Sequence, residues 1–437
     1  MIFYILIFTF LSFYLFIIVK RAKKYKYNQT NNYIYNLEKK FIKDIFLKGN
    51  SFTLEKELEN FDTLFLKLYL SKNIYSYFFK PYIEIEGIKH YFEFGAAGTR
   101  YLNISHLQNH DVKVNLNHLK LKAGVLKLYG YKNNIDLSQN NILILAPHAD
   151  DAEIAAFGLY KTASNVTIVT TTAGEHGLCN YCDLYPNDKT KSSLKKAQLR
   201  AIDALTVPLF GNIAIENSLA LGYFGGTIQW MRENPDKEAV SFVTGINDMN
   251  QNRKVSHSVV GLNRRVKATY KEFLNDLDSI IKYTKPDIII TPHPIIDSHP
   301  DHKYTTLALL EVLQNSTIKS KLLLYTNHLT LSESYPTGFI HSSISLPPNQ
   351  NLFPFDSLFS FSLDKDLQID KFFALESIHD LRDSFLQTSI KKVLKHLKKL
   401  IKRVIFSKDK SYFRRAIRAN ELFFVVEDIE SFSKKMI

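Results

Sequence analysis

Two β-branched apolar runs, Asn141–Leu145 (NILIL) and Asp287–Ile290 (DIII), are each followed within a few residues by a cluster of imidazoles and carboxylates. After the first comes His148-Ala149-Asp150-Asp151-Ala152-Glu153, and after the second His299-Pro300-Asp301-His302. Short buried runs that alternate with helical segments are strands of a parallel sheet, and such sheets gather their ligands at the strands' carboxyl ends. The pattern can therefore bring both clusters to one edge of one sheet. Taken singly, each has a local explanation. Aspartates after a strand satisfy the amides of a helix N-terminus, and His-Pro-Asp-His suits a turn. Together they offer neutral imidazoles and a carboxylate, the set that holds a catalytic divalent ion, with further acids left over to move protons.

The alternation continues on both sides of these motifs. Helical spacing over Asp151–Thr162, Ser192–Leu205, Tyr270–Tyr283 and Tyr304–Gln314 is interleaved with the strand-like Val166–Thr172 (VTIVTTT). This predicts a mostly parallel sheet with right-handed crossovers and helices on both faces. No Gly-x-Gly-x-x-Gly follows the first strand, so no dinucleotide cofactor is expected.

The two motifs resemble those of the PIG-L or LmbE-type N-acetylglucosaminyl deacetylases, whose signatures are His-Pro/Ala-Asp-Asp followed by an acidic residue, and His-Pro-Asp-His. A Gly-Glu-x-Gly loop after a strand also belongs to that pattern, and here Gly174-Glu175-His176-Gly177 follows Val166–Thr172. Arg200 with Asp203 stands where the family tends to show Arg-x-x-Glu. The resemblance runs from about Gln139 to Asn327 and more weakly toward Arg382. It departs at Ala152, since the acidic residue, Glu153, comes one place later. It departs again at Gly225, where many members carry Asp in Leu-Gly-Tyr-x-Asp-Gly. The second change bears on sugar specificity rather than on the chemistry.

The resemblance implies a Rossmann-like fold and a metal, zinc or another divalent ion, bound by His148, Asp151 and His302, with Asp150 off the metal as general base. Residues 148 and 151 lie about one helical turn apart, so both can face one ion. Bound zinc lowers the pKa of water from about 15.7 to about 7, and a carboxylate can complete the deprotonation. His299, protonated and held by Asp301, would support the oxyanion. Arg200, Glu175 and Tyr223 are the expected substrate contacts, with His293 a further candidate for the pocket wall.

The first 19 residues carry no charged side chain and are followed by Lys20, Arg21, Lys23, Lys24 and Lys26. About 20 apolar residues suffice to span a bilayer. The absence of positive charge before the run, and of small residues after it, predicts an uncleaved anchor. The basic flank places the body in the cytoplasm, at a bacterial inner membrane or the endoplasmic reticulum. Near the other end, apolar residues from Leu386 to Ile405 keep one helical stripe opposite seven basic residues. That pattern fits a helix lying on anionic lipid, each basic residue contributing about 1 kcal/mol, or equally a helix packed on the body with a solvated basic face. The formal net charge of +13 also raises nucleic acid, but no recognition motif accompanies it and none is expected as a partner.

With 437 residues, 45% of them hydrophobic, a sizeable core is assured. Cys179 and Cys182 alone make no disulfide framework, and with His176 they lack a fourth ligand for an accessory metal. The organisation expected is an anchor over 1–20 and a linker with a strand-rich extension over 21–138. The deacetylase domain follows over 139–385, and a basic amphipathic extension over 386–437. Within the extension, Asn36–Leu47 reads as a helix. The function expected is removal of acetyl from an N-acetylated amino sugar such as N-acetylglucosamine, on a lipid-linked sugar or glycolipid at the membrane. The alternatives are a soluble N-acetyl sugar conjugate as substrate, or an inactive membrane-tethered sugar-binding protein.

Overall fold

The computed structural model describes residues 2–37, 41–107, 110–122, 125–177, 181–255, 261–349, 351–381, 390–406, 409 and 411–437. Two compact units emerge. One is built from residues 1–132, 329–352 and 388–420, and the other from 133–328, 353–387 and 421–437.

The first unit begins with the apolar helix Ile2–Ala22, which over Tyr4–Arg21 is long and apolar enough to cross a membrane. An antiparallel sheet then orders Phe41–Ile45, Leu126–Tyr131, Thr63–Ser71 and Gly98–Asn103, with Lys120–Leu121 beside Thr63–Ser71. A second antiparallel sheet orders Ser51–Thr53, Asp111–Asn117, Tyr82–Ile85 and Ile88–Tyr91. Alternating residues of both sheets meet in one core, Leu64, Leu66 and Leu68 from one and Ile83, Ile85, Val112 and Val114 from the other. Of the helix expected over Asn36–Leu47, residues 38–40 lie outside the described residues, and Phe41–Ile45 is instead a strand paired with Leu126–Tyr131. Its local apolar spacing was helix-compatible, but a neighbouring strand with open backbone groups decided the outcome. Ile390–Val404 is a helix as expected, and Leu386 lies outside the described residues.

The second unit carries a seven-stranded sheet. Its strands are β1 (Asn141–Ala146), β2 (Asn165–Thr172), β3 (Ser218–Tyr223), β4 (Ile288–Pro292), β5 (Lys321–Tyr325), β6 (Ser357–Ser362) and β7 (Asn420–Val426), in the order β3-β2-β1-β4-β5-β7-β6. Strands β1 to β5 pair parallel, and β7 joins β5 antiparallel. Every residue of β3 and β4 is buried, which requires cover on both faces. Cover comes from α1 (Asp151–Thr162), α2 (Lys189–Thr206), α3 (Ile228–Glu233), α4 (Tyr270–Thr284), α5 (Pro300–Gln314), α6 (Lys365–Ser377) and α7 (Ile429–Met436). Helices α1 and α6 pack together in one group, and α3, α4, α5 and α7 in another. The mixed α/β class read from the sequence is present.

Helix α1 is interrupted where Ala156 takes non-helical angles. The amides of Gly158 and Leu159 donate instead to the two oxygens of Glu421, at 2.8 and 2.9 Å. Glu421 is in turn paired at 2.7 Å with Lys371, both side chains 1% exposed. A buried pair broken on one side leaves an uncompensated charge, at a cost of about 3–5 kcal/mol. Lys371→Met is therefore expected to lower the thermal midpoint sharply, and adding Glu421→Gln should restore part of it. Calorimetric scans of the two variants check the order.

Candidate metal centre

The loops that leave β1, β2, β3, β4 and β5 at their carboxyl ends supply the site. From the β1 loop come His148, Asp150 and Asp151, and from the β4 loop Asp297, His299, Asp301 and His302. Asn327 and His328 follow β5. Three atoms converge: His148 Nδ1, Asp151 Oδ2 and His302 Nε2 are 3.1, 3.0 and 3.3 Å apart pairwise. Tetrahedral bonds near 2.0–2.1 Å to one zinc ion would set donor atoms about 3.3 Å apart. This donor set, two imidazole nitrogens and a carboxylate oxygen at that spacing, fits a divalent ion. Further groupings on the same spot, His148 with His299 and His302, Asp151 with His302 and His328, and His148 with Asp150 and Asp151, also have the proximity to bind one.

Each of the three donors is fixed from behind. Asp301 Oδ2 lies 3.2 Å from His148 Nε2, Asp297 Oδ2 lies 3.2 Å from His302 Nδ1, and Asn327 Nδ2 donates to Asp151 Oδ1 at 2.8 Å. Such partners set the ring orientation and raise the basicity of a ligand. The electrostatics agree. Burial disfavours charge on His148, but hydrogen bonds to Asp151 and Asp301 outweigh it and bring its pKa up to about 9. Burial likewise opposes charge on His302, yet Asp151 and Asp297 hold its pKa well above the usual imidazole range. Burial would raise the carboxyl of Asp151, but the two imidazoles carry it well below. The loops thus concentrate negative charge on a spot that favours a cation.

Asp150 stands at the N-cap of α1, yet its side chain makes no capping bond. It is 4% exposed, and Oδ1 accepts from Arg200 Nη2 at 3.1 Å, while Arg200 Nη1 donates to Asp380. Arg200 approaches closely because Gly174, at φ +60°, has no Cβ; one built there would sit 2.5 Å from Arg200 Nε. Asp203, read with Arg200 as a pair, instead accepts from His379 Nδ1 at 2.5 Å. Glu153 is buried with the Tyr160 hydroxyl 3.1 Å away, and burial brings its pKa up to about 8.

Several roles expected from the sequence change. Asp301 does not hold the His299 ring: its Oδ2 serves His148 and accepts from the Gly226 amide at 2.8 Å. His299 caps α5, Nδ1 accepting from the Asp301 amide at 3.2 Å, so its proton sits on Nε2. Its ring lies 4.7 Å from that of His148 and 5.0 Å from that of His302. Burial, followed by the two neighbouring imidazoles, pushes its pKa down to about 3, so it is neutral rather than protonated. Tyr223 is fully buried, with its hydroxyl donating to Asp276 at 2.7 Å beside the Arg253–Asp276 pair; it is a core residue, not a substrate contact. Glu175 spends both oxygens inside the protein, on the Gly225 amide at 2.9 Å and the Ser241 hydroxyl at 2.8 Å. Gly225 sits close against the loop carrying Glu175, and a Cβ there would lie 3.2 Å from His176 Cβ. His293 is enclosed between Phe353 and Phe424. Cys182 is disulfide-bonded and supplies no thiolate for an accessory metal, and Cys179 lies outside the described residues.

Sequence reading missed Asp297, Asn327 and Asp380. Asp297 could have been found, as a carboxylate two places before His299 in the same loop. Asn327 follows a strand that carried no motif, and Asp380 is remote in sequence from Arg200 and Lys196, with which it pairs.

Fold and site together define an α/β domain with a His/Asp cluster suited to a metal at the carboxyl edge of its sheet. Residues 143–313, less than half of the chain, match the PIG-L family model, described as GlcNAc-PI de-N-acetylase. No curated protein matches the chain. Among solved structures, a teicoplanin-pathway deacetylase triple mutant aligns at 16% identity, covering 66% of this chain and 98% of its own, with a TM-score of 0.34. An N,N'-diacetylchitobiose deacetylase from Pyrococcus horikoshii aligns at 18%, covering 66% and 84%, with a TM-score of 0.29. The 4-carboxy-2-hydroxymuconate hydratase GalB from Pseudomonas putida aligns at 12%, covering 65% and 95%, with a TM-score of 0.32.

Proposed function

We propose that this chain is a zinc-dependent hydrolase that removes the acetyl group from an N-acetylated amino sugar borne on a membrane lipid. The observation that carries the reading is the convergence of His148 Nδ1, Asp151 Oδ2 and His302 Nε2, each backed by its own partner, beside a buried Asp150 that does no capping. These three would hold the ion, which when bound supplies Lewis acidity at the substrate carbonyl and acidifies water. Asp150 takes the proton of the attacking water, and Arg200 holds that carboxylate in place through its 3.1 Å hydrogen bond. As the new C–O bond forms, the Nε2–H of neutral His299 donates to the carbonyl oxygen that gains charge. The C–N bond then breaks, Asp150 returns its proton to the departing nitrogen, and acetate and a free amine result. Asp301 and Asp297 act through the rings of His148 and His302.

Two things support the lipid-linked substrate: the apolar helix Ile2–Ala22, and the matched family's description, which names GlcNAc-PI. We read that helix as a single uncleaved anchor with the body in the cytoplasm, so protease added to intact cells should leave the body whole. The decisive assay is acetate release from a panel of lipid-linked and free N-acetyl sugars, with and without chelator. Release from the lipid-linked members that chelator abolishes and zinc restores is expected. Release indifferent to chelator would remove the metal, and release only from free sugars would remove the lipid.

A further inference from the structure

Within the first unit, the carboxyl end of the apolar helix Ile2–Ala22 and the end of the basic helix Ile390–Val404 border a cavity of about 430 Å³. That is within the range of about 300–1,000 Å³ usual for small-ligand sites. Five cations, Arg21, Lys24, Lys80, Arg403 and Arg414, line it against one carboxylate, Asp409, which pairs with Arg403 Nε at 3.1 Å. Five positive charges less one negative leave an excess of four.

Arg414 is the best-defined of these. It is 6% exposed, Nε donates to the Asp409 carbonyl at 2.8 Å, Nη1 donates to the Pro336 carbonyl, and Nη2 has no hydrogen-bond partner among the described residues. Arg21 is anchored by two backbone carbonyls, those of Ile405 and Phe78, each at 2.9 Å. Lys80 and Lys24 hold their ammonium groups over the Phe339 and Phe94 rings at 5.2 and 5.3 Å. Burial, then the nearby Lys24, Arg414 and Arg418, pushes the Lys80 ammonium well below its ordinary range. Cations gathered out of water at this density need an anion to offset their desolvation and mutual repulsion. Guanidinium forks fit the oxygens of a phosphoryl group, and the number of cations suits its charge better than a lone carboxylate's.

The setting indicates where that group resides. Arg21 lies in the last turn of a helix whose apolar side chains are exposed. The basic helix exposes Ile390, Val393, Leu394, Leu397, Leu400 and Val404. The segments are joined by the Arg21–Ile405 bond and by Phe16 against Phe406, ring centroids 6.3 Å apart. Two adjoining apolar surfaces left in water are costly, and a bilayer covers both. The basic end of a spanning helix then stands at the depth of the headgroups.

We propose that this cavity binds the phosphoryl headgroup of an anionic membrane lipid. The proposal rests on reading Ile2–Ala22 as a membrane helix, not on the deacetylase chemistry. It is tested by titrating the full chain in detergent micelles, by calorimetry, with dioctanoyl phosphatidate, dioctanoylglycerol and sodium phosphate. Saturable binding of phosphatidate is expected, with none of dioctanoylglycerol and at least about tenfold weaker binding of free phosphate. Lys24→Gln and Lys80→Gln, folded by their thermal midpoints, should each weaken phosphatidate binding about tenfold. Free phosphate binding as tightly as phosphatidate overturns the proposal, as does equal binding of dioctanoylglycerol or wild-type affinity in both lysine variants. Acetate release is not the readout, so a failure here leaves the catalytic reading untouched, and the reverse holds as well.

Discussion

Asp150→Asn is expected to lower acetate release by about 10²- to 10⁴-fold, the usual contribution of a positioned acid–base group, while zinc content stays at the wild-type level. Asparagine keeps the shape of aspartate and an oxygen for Arg200 Nη2, 3.1 Å away, so packing around residue 150 should survive. What disappears is the capacity to take a proton from water and hand it on. The ion should be untouched because the three donors proposed for it are His148 Nδ1, Asp151 Oδ2 and His302 Nε2. Acetate release and elemental analysis on the same preparation separate the two effects. An asparagine variant with wild-type turnover would take Asp150, and the proton route built on it, out of the mechanism. Loss of both metal and turnover would instead make Asp150 part of the ion's seat.

The elements legible in the sequence are those whose pattern is dictated locally. NILIL and DIII became β1 and β4, because strands covered on both faces must be apolar throughout. The motifs that follow them lie at strand ends, where topology alone brings distant segments together. What was not legible depends on partners remote in sequence. Phe41–Ile45 became a strand because Leu126–Tyr131 was there to pair with it. Tyr223 and Glu175 sit in motifs that promise a pocket, yet Asp276 and the Gly225 amide claim their polar atoms. The sequence reading gave Asp301 to the His299 ring and passed over Asp297. Asp301, adjacent to His302 in the chain, orients His148, and His302 relies on Asp297. An α-helical start at Pro300 explains this, since side chains one residue apart on a helix face different directions.

That crossed arrangement sets a graded result for metal affinity. His302→Ala removes one corner of the donor triangle and is expected to abolish zinc binding and acetate release together. Asp297→Asn leaves all three donors in place and alters what supports them from behind, so zinc should bind about 10- to 100-fold more weakly. Asp297 does more than face that ring. Its Oδ2 accepts from the amides of Asn327 and His328 at 2.9 and 3.1 Å, and its Oδ1 from the amide of His299 at 3.1 Å. One carboxylate therefore ties the loop after β4 to the loop after β5, and through Asn327 reaches Asp151 Oδ1 as well. Because an amide cannot accept at both ends, Asp297→Asn should loosen two donors at once and fall toward the hundredfold end. Competition against a fluorescent zinc chelator measures the ladder from wild type through Asp297→Asn to His302→Ala. Zinc retained by His302→Ala at wild-type affinity would move the ion away from Asp151, toward His148 and His299, and would leave Asp297 tying loops together with no part in binding metal.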